Sequence, residues 1–207
     1  IISISAFLMR NPILDLKLVQ GVAETISHAF YPVASGQREE LLLKLLQQTN
    51  FKSVLIFSRT KIDADSLANH IKKQEPDYSI TVMHSDIRQK DRQEALAGFK
   101  DGKFDVIIAT DLAARGIDIS NVSHVINYQV PENAEDYVHR IGRTGRANRE
   151  GDAFTLLSAD ELGSILSLQP DPDALSLIEP MIDTSFFGAH VWSKQVPPKD
   201  SIVQVFI

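Results

Sequence analysis

Residues 105–119, DVIIATDLAARGIDI, begin with a run of apolar, mostly β-branched side chains and then turn abruptly polar. The run DVIIA (105–109) shows no alternation of polar and apolar residues, which is typical of a strand covered on both faces. Thr110 and Asp111 follow it directly, and Gly116 is well suited to end a short helical turn. The stretch therefore predicts a buried strand whose carboxyl end carries polar side chains.

Five further runs of the same kind occur along the chain: TISHAFYPV (25–33), SVLIF (53–57), SITVM (79–83), HVINY (124–128) and AFTLL (153–157). Amphipathic segments with apolar residues at three- and four-residue spacing lie between them, and one of these segments opens at Asn133 as a predicted N-cap. Alternating strands and helices predict an α/β fold class, with a predominantly parallel sheet that carries helices on both faces.

The composition is that of an ordinary globular protein: 207 residues, 43% hydrophobic and 23% charged, with a formal charge of −6. The absence of cysteine excludes disulfides, thiolate zinc sites and thiol nucleophiles. No apolar run is long enough to cross a membrane, so we expect no membrane partner. Because the chain does not start with methionine, we expect it to be a fragment of something longer.

The segment HRIGRTGR (139–146), followed by Arg149, concentrates four arginines in an acidic chain. Guanidinium is permanently charged, and its fork of N–H groups matches two oxygens of a phosphate. Gly142 and Gly145 allow the backbone to bend and another surface to come close. The segment fits a grip on a phosphate chain, although a solvated basic helix end is the alternative interpretation.

The polar residues after DVIIA also allow two interpretations. Ligands of open parallel sheets bind at the carboxyl ends of the strands, where the Thr110 hydroxyl could donate to a phosphate oxygen and Asp118 could accept from a ribose hydroxyl. Alternatively, Thr110 or Asp111 caps a helical turn. The chain contains neither a phosphate-binding loop nor a G-x-G-x-x-G fingerprint, so we expect no complete nucleotide site within it.

Together, ATDLAARGIDI (109–119) and YVHRIGRTGR (137–146) resemble the C-terminal RecA-like domain of DEAD-box RNA helicases. VLIFSRT (54–60) is similar to motif IV of that family, and HSDIRQKDR (84–92) is similar to its His-Gly-Asp and Gln-x-x-Arg element. The resemblance covers about residues 7–168 and implies a RecA-like three-layer α/β/α fold. It also implies three parts, listed by residue number: 1–24 as interdomain linker, 25–169 as the RecA-like domain and 170–207 as a C-terminal extension of unknown role.

This resemblance implies the C-terminal half of an ATP-dependent RNA helicase, which would be inactive by itself. ATP and Mg²⁺ would be bound mainly by a separate N-terminal RecA-like domain, which carries the Walker A lysine and the Asp-Glu-Ala-Asp block. The implied site residues of this chain are Arg143 and Arg146 as arginine fingers on the γ-phosphate, His139 and Arg140 as contacts to the N-terminal domain, and Asp118 with Gly116 at the ribose. Domain closure would couple ATP hydrolysis to unwinding of an RNA duplex.

By the same resemblance, RNA would lie along the opposite lip of the domain, held by its phosphates and sugars with little sequence preference. The implied RNA-binding positions are Thr110, Arg92, Thr60, Arg59, Ser85 and Asp86. Ser85 departs from the family, which usually has glycine there. A catalytically silent RNA-binding or regulatory module with the same fold is the alternative; the retained arginines and Asp118 favour the helicase. We expect a cytoplasmic protein.

Overall fold

The computed structural model describes residues 23, 25–33, 35–48, 51–115, 119–120, 122–146 and 149–161. The predicted linker, apart from residue 23, and the predicted C-terminal extension lie outside these residues. Gly116 and Asp118, the predicted ribose contacts, lie outside them as well.

Strands and helices alternate throughout the described part of the chain. The strands are β1 (Ile26–Pro32), β2 (Val54–Ser58), β3 (Ile80–Met83), β4 (Val106–Thr110), β5 (His124–Asn127) and β6 (Gly151–Leu157). The α-helices are α1 (Arg38–Gln48), α2 (Lys61–Gln74), α3 (Gln89–Lys100), α4 (Asp111–Ala114) and α5 (Ala134–Ile141). Short 3₁₀ turns at Ser35–Gln37 and Ala159–Glu161 complete the pattern. Each of the six apolar runs forms a strand, as predicted.

The strands form one sheet in the order β1-β6-β5-β2-β4-β3, and every neighbouring pair is parallel. From β2, the chain first adds β3 and β4 on one side and then crosses to add β5 and β6 on the other. The direction of strand addition therefore reverses beside β2. In open parallel sheets, the crevice outside the carboxyl ends of the strands at such a point is where ligands bind.

Two apolar cores lie on the two faces of the sheet. Leu55, Phe57 and Ile107 belong to one core and Val54 and Ile56 to the other, as alternation along a strand requires. Side chains of α3, α4 and α5 complete the first core, and side chains of α1 and α2 complete the second. The strands are buried from both sides, which explains their continuous apolar runs and confirms the three-layer α/β/α prediction.

The helix that precedes the arginine-rich segment begins as predicted. Asn133 adopts an extended conformation, and its Oδ1 accepts a hydrogen bond of 2.8 Å from the backbone N–H of Asp136. Glu135 and Asp136 occupy the first turn, where the helix dipole favours negative charge. These local signals fix where α5 starts and therefore where the following arginines are placed.

Candidate functional site

A cleft of about 390 Å³ opens at the carboxyl edge of the sheet, beside β2. Its lining includes residues at or just after the ends of β2, β3 and β4, together with a residue of α5: Arg59, Ser85, Thr110 and Arg140. These four belong to four separate segments that the sequence singled out. The parallel strands bring Arg59, Ser85 and Thr110 together because each stands at the carboxyl end of its strand, and α5 adds Arg140.

The two threonines predicted at this edge differ in their local roles. Thr60 caps α2, since its Oγ1 accepts from the backbone N–H of Asp63 at 3.1 Å. Its hydroxyl hydrogen can still be donated to a ligand. Thr110 also occupies an N-cap position, at the start of α4, but its side chain makes no capping hydrogen bond and instead lines the cleft. The interpretation in which the Thr110 side chain caps the helix is therefore wrong.

Ser85 and Asp86 form an exposed loop after β3. The Ser85 hydroxyl donates to Asp86 at 3.2 Å, and the backbone N–H of Asp86 donates to Nδ1 of the buried His84 at 3.3 Å. Nε2 of His84 then carries the proton and donates to Asp65 at 3.1 Å. His84 thus braces the loop from beneath, while Ser85 faces the cleft.

Arg92 lies on α3, outside the lining of the cleft. One terminal nitrogen of its guanidinium donates to the backbone carbonyl of Ala113 at 2.9 Å, which ties α3 to α4. Its Nε is buried and has no hydrogen-bond partner. Its predicted contact with RNA remains a prediction, and within the domain it holds the short helix that follows Thr110.

Arg140 is buried, and it joins the two segments that carry the family resemblance, residues 109–119 and 137–146. Its guanidinium forms two parallel hydrogen bonds of 2.6 Å with the carboxylate of Asp111. It also donates to the Gln129 carbonyl at 2.9 Å and to Oδ1 of Asn127 at 3.3 Å, and it stacks 5.2 Å from the Phe57 ring centre. These contacts fix α5 against the start of α4. The predicted contact of Arg140 with another domain stays a prediction.

The backbone after α5 is pinned at its far end. The buried Thr144 donates to the Val122 carbonyl at 2.6 Å, and the Gly145 carbonyl accepts from the Thr25 hydroxyl at 2.5 Å. Gly145 has φ of 65°, and a Cβ there would lie 3.2 Å from the Thr25 carbonyl oxygen and closer still to Ile26. Only glycine fits this contact without a shift.

Part of the same segment lines a second, smaller cleft beside the first. Arg143 is partly buried and lines it together with His139 and Arg140. Arg146 is exposed, and its Nε donates to the Gly142 carbonyl at 2.6 Å. The segment thus carries one guanidinium group in the second cleft and one exposed guanidinium group outside its lining, and groups of this kind suit phosphate oxygens.

Comparisons with known proteins show which family this chain resembles. The model of the helicase conserved C-terminal domain matches residues 37–148. The DEAD-box ATP-dependent RNA helicase RhpA of Helicobacter pylori is 39% identical over 168 residues, which is 81% of this chain and 34% of RhpA. The ATP-dependent RNA helicase CshA of Listeria monocytogenes is 40% identical over 156 residues, which is 75% of this chain and 30% of CshA.

Solved structures give the same result. The crystal structure of the E. coli DEAD-box protein SrmB bound to RraA has a TM-score of 0.62 at 34% identity, covering 67% of this chain and 81% of that one. The C-terminal domain of the DEAD-box protein Dbp5 has a TM-score of 0.59 at 27% identity, covering 82% and 87%. The chain belongs to the DEAD-box helicase C-terminal domain family. It spans about a third of the length of the curated relatives it matches.

Ion pairs surround the main cleft of this helicase C-terminal domain. Lys61 pairs with Asp86 at 2.7 Å, and its hydrogen bond holds the pKa of the Asp86 carboxyl below its usual range. Partial burial raises the pKa of Asp136, but hydrogen bonds from Arg115 and Asn133 outweigh that effect and leave the pKa lowered. Both carboxylates therefore stay ionised at neutral pH.

The helicase C-terminal domain also contains an ionic group of which the sequence motifs indicated only Arg59. The buried carboxylate of Glu161 pairs with the buried Arg38 at 2.5 Å and with the partly exposed Arg59 at 3.2 Å. Arg38 and Glu161 lie 123 positions apart in the sequence. In the sequence, an arginine at the start of a helix and an acid in the turn after β6 look like ordinary surface charges. Only the packing of α1 beside the end of β6 identifies them as partners.

Two further features of the described residues concern ligands and membranes. No group of three or more histidine, aspartate or glutamate side chains in this part of the chain could hold a metal ion. No described helix is both long and apolar enough to cross a membrane.

Proposed function

We propose that this domain works as the C-terminal half of an ATP-dependent RNA helicase. It binds the RNA backbone in the main cleft and presents Arg143 and Arg146 to an ATP molecule held, together with Mg²⁺, mainly by an N-terminal RecA-like domain of the same protein. Closure of the two domains couples ATP hydrolysis to unwinding of a short RNA duplex. Such a protein acts where ATP and RNA are found, so we place it inside the cell, in the cytoplasm.

The observation that carries the proposal is the bidentate pair between Arg140 and Asp111. Asp111 follows Thr110, which lines the main cleft, and Arg140 lies three residues before Arg143 at the end of α5. One ion pair thus connects a surface suited to an RNA backbone with a segment suited to a nucleotide phosphate. A movement that ATP imposes on the arginines can reach the RNA surface through this pair.

The hydrogen-bond donors of the arginine-rich segment also suit the phosphate groups of ATP. Guanidinium groups such as those of Arg143 and Arg146 bind phosphate oxygens and stabilise the negative charge that develops during phosphoryl transfer. ATP would supply the γ-phosphoryl group, and the arginines would orient and neutralise it. We extend the proposal to Asp118 and Gly116 at the ribose on the strength of the family motif.

The experiment is to replace Arg146 with alanine in the full-length protein and to measure ATP hydrolysis at saturating RNA. Loss of an arginine finger should lower turnover by about 10³-fold or more, because such a group contributes roughly 10³–10⁵ to the rate in related phosphoryl transfers. The matched control is Arg149→Ala, which removes an exposed arginine from the same segment and should leave turnover within about twofold.

Turnover of Arg146→Ala within a few-fold of the parent would contradict the finger assignment. A parent protein that binds RNA but never hydrolyses ATP would instead support the alternative, a silent RNA-binding module. Circular dichroism of each variant shows whether the fold is intact.

A further inference from the structure

The carboxylate of Glu161 is shared by two arginines that lie in different environments. Arg38 approaches it from the buried side, with a side chain only 10% exposed. Arg59 approaches it from the cleft, with a side chain 48% exposed. Glu161 itself is 5% exposed. The Glu161 carboxylate, the single negative charge of the group, therefore contacts one guanidinium group in the interior and one at the cleft surface.

The interior part of this group is fixed by hydrogen bonds. Besides Glu161, the Arg38 guanidinium donates to the Ser158 hydroxyl at 2.6 Å and to the Tyr128 carbonyl at 2.9 Å. Glu161 in turn accepts from the backbone N–H groups of Ser158 at 3.2 Å and Val130 at 3.3 Å. A carboxylate with so many donors has little freedom, so Arg59 meets a rigid partner.

The other cations that line the main cleft are paired differently. Lys61 pairs with Asp86, Arg140 pairs with Asp111, and Arg115 pairs with Asp136, and among the described residues none of these three carboxylates forms an ion pair with a second cation. Arg59 is the cleft cation whose carboxylate partner is also paired with a second arginine in the described residues. Arg38, Glu161 and Arg59 together therefore carry one net positive charge at the cleft.

We propose that Arg38 is a positioning residue that neutralises Glu161 from within, so that Glu161 orients Arg59 without cancelling its charge. Arg59 then serves as a preorganised anchor for an RNA phosphate. This inference rests on the proposed RNA-binding function. Arg38 acts through Arg59 and touches no ligand, since it is buried behind Glu161. Rigid presentation of a charged donor favours binding because less side-chain entropy is lost.

The net charge of the three side chains predicts a distinctive order of RNA affinities among the variants. The parent group carries +1, Arg38→Gln lowers this to 0, Glu161→Gln raises it to +2, and the double variant restores +1. We expect Arg38→Gln to weaken binding of a single-stranded RNA roughly three- to tenfold, the scale of one partly exposed charged contact. The double variant should return to within about twofold of the parent, and Glu161→Gln should bind at least as tightly as the parent.

The measurement is fluorescence anisotropy of a labelled oligouridine with the full-length protein, at several salt concentrations. Arg38→Gln and Arg59→Ala should each reduce the slope of log affinity against log salt by about 0.7, the value for one phosphate contact on a single strand. In an Arg59→Ala background, Arg38→Gln should leave the salt slope unchanged, because the phosphate contact that Arg38 supports is already gone. Thermal unfolding of each variant checks that it is folded. If either single variant is unstable, the double variant still allows the binding measurement, because it leaves no buried charge without a partner.

Three results would overturn the inference: an unchanged affinity in Arg38→Gln, no recovery in the double variant, or a further drop in the salt slope from Arg38→Gln when Arg59 is already alanine. A purely structural role for Arg38 predicts the first result in variants that remain folded. A parent protein that fails to bind RNA would contradict the proposed function itself, and the parent measurement reveals this separately.

Discussion

Asp111 and Arg140 show how one pair of side chains can join two functional surfaces. Their side chains are 31% and 5% exposed, and among the described residues no second carboxylate forms an ion pair with the arginine. A guanidinium buried to this degree needs its carboxylate, because a buried charge without a partner costs several kcal/mol. The folded domain therefore requires this ion pair. The same pair is the proposed connection between the RNA-binding surface and the arginines.

This requirement gives a prediction at the residue scale. Asp111→Asn should destabilise the domain by about 3 kcal/mol, at the low end of the cost of breaking a buried pair because Asp111 is partly exposed. The matched control is Asp136→Asn, whose partner Arg115 is 63% exposed and which should cost no more than about 1 kcal/mol. Urea unfolding of the full-length variants measures both, and equal costs would show that the buried pair has no special role.

Among the elements, the turn after α5 determines where the arginines stand. Thr144 and Gly145 anchor it to the residues before β5 and β1, and Arg143 and Arg146 flank these anchors. The glycines of the sequence pattern were predicted to allow bending and close approach. Gly145 does both, because it combines a positive φ with a tight contact to Thr25.

A pair of glycine variants separates these two effects. Gly145→Ala and Gly102→Ala both place alanine at a positive φ, of 65° and 74°, which costs about 1–2 kcal/mol. A Cβ at Gly102 meets nothing within 4 Å, whereas one at Gly145 collides with Ile26 and approaches Thr25. We therefore expect Gly145→Ala to be the less stable variant and to lose at least tenfold in RNA-stimulated ATP turnover. Equal stability and turnover of the two variants would contradict the close-approach argument.

At the scale of the whole molecule, the sequence predicted most of the fold and only part of the site. The six continuous apolar runs identified the strands, because burial on both faces leaves a signal in each run separately. The Asn133 cap was likewise local. Partnerships between distant positions left no such signal, so Arg140 was predicted as an outward contact while its pairing with Asp111 was missed.

The same reason explains why Arg38 and Glu161 escaped notice. Each residue type is usually solvated, and only the three-layer packing brings the start of α1 beside the turn that follows β6. Arg59, by contrast, was indicated by its place after β2 and does line the cleft. Positions at strand ends can be inferred from sequence, whereas the ion pairs that orient them require the structure.

The central claim is that this domain contributes arginines to an ATP site that another domain completes. The most direct test compares RNA-stimulated ATP hydrolysis by this chain alone with hydrolysis by the same chain joined to its N-terminal domain. The account predicts activity only in the joined form. Turnover by the chain alone would contradict it by revealing a complete nucleotide site here, and no turnover in the joined form, with RNA still bound, would contradict it by showing a module that does not hydrolyse ATP.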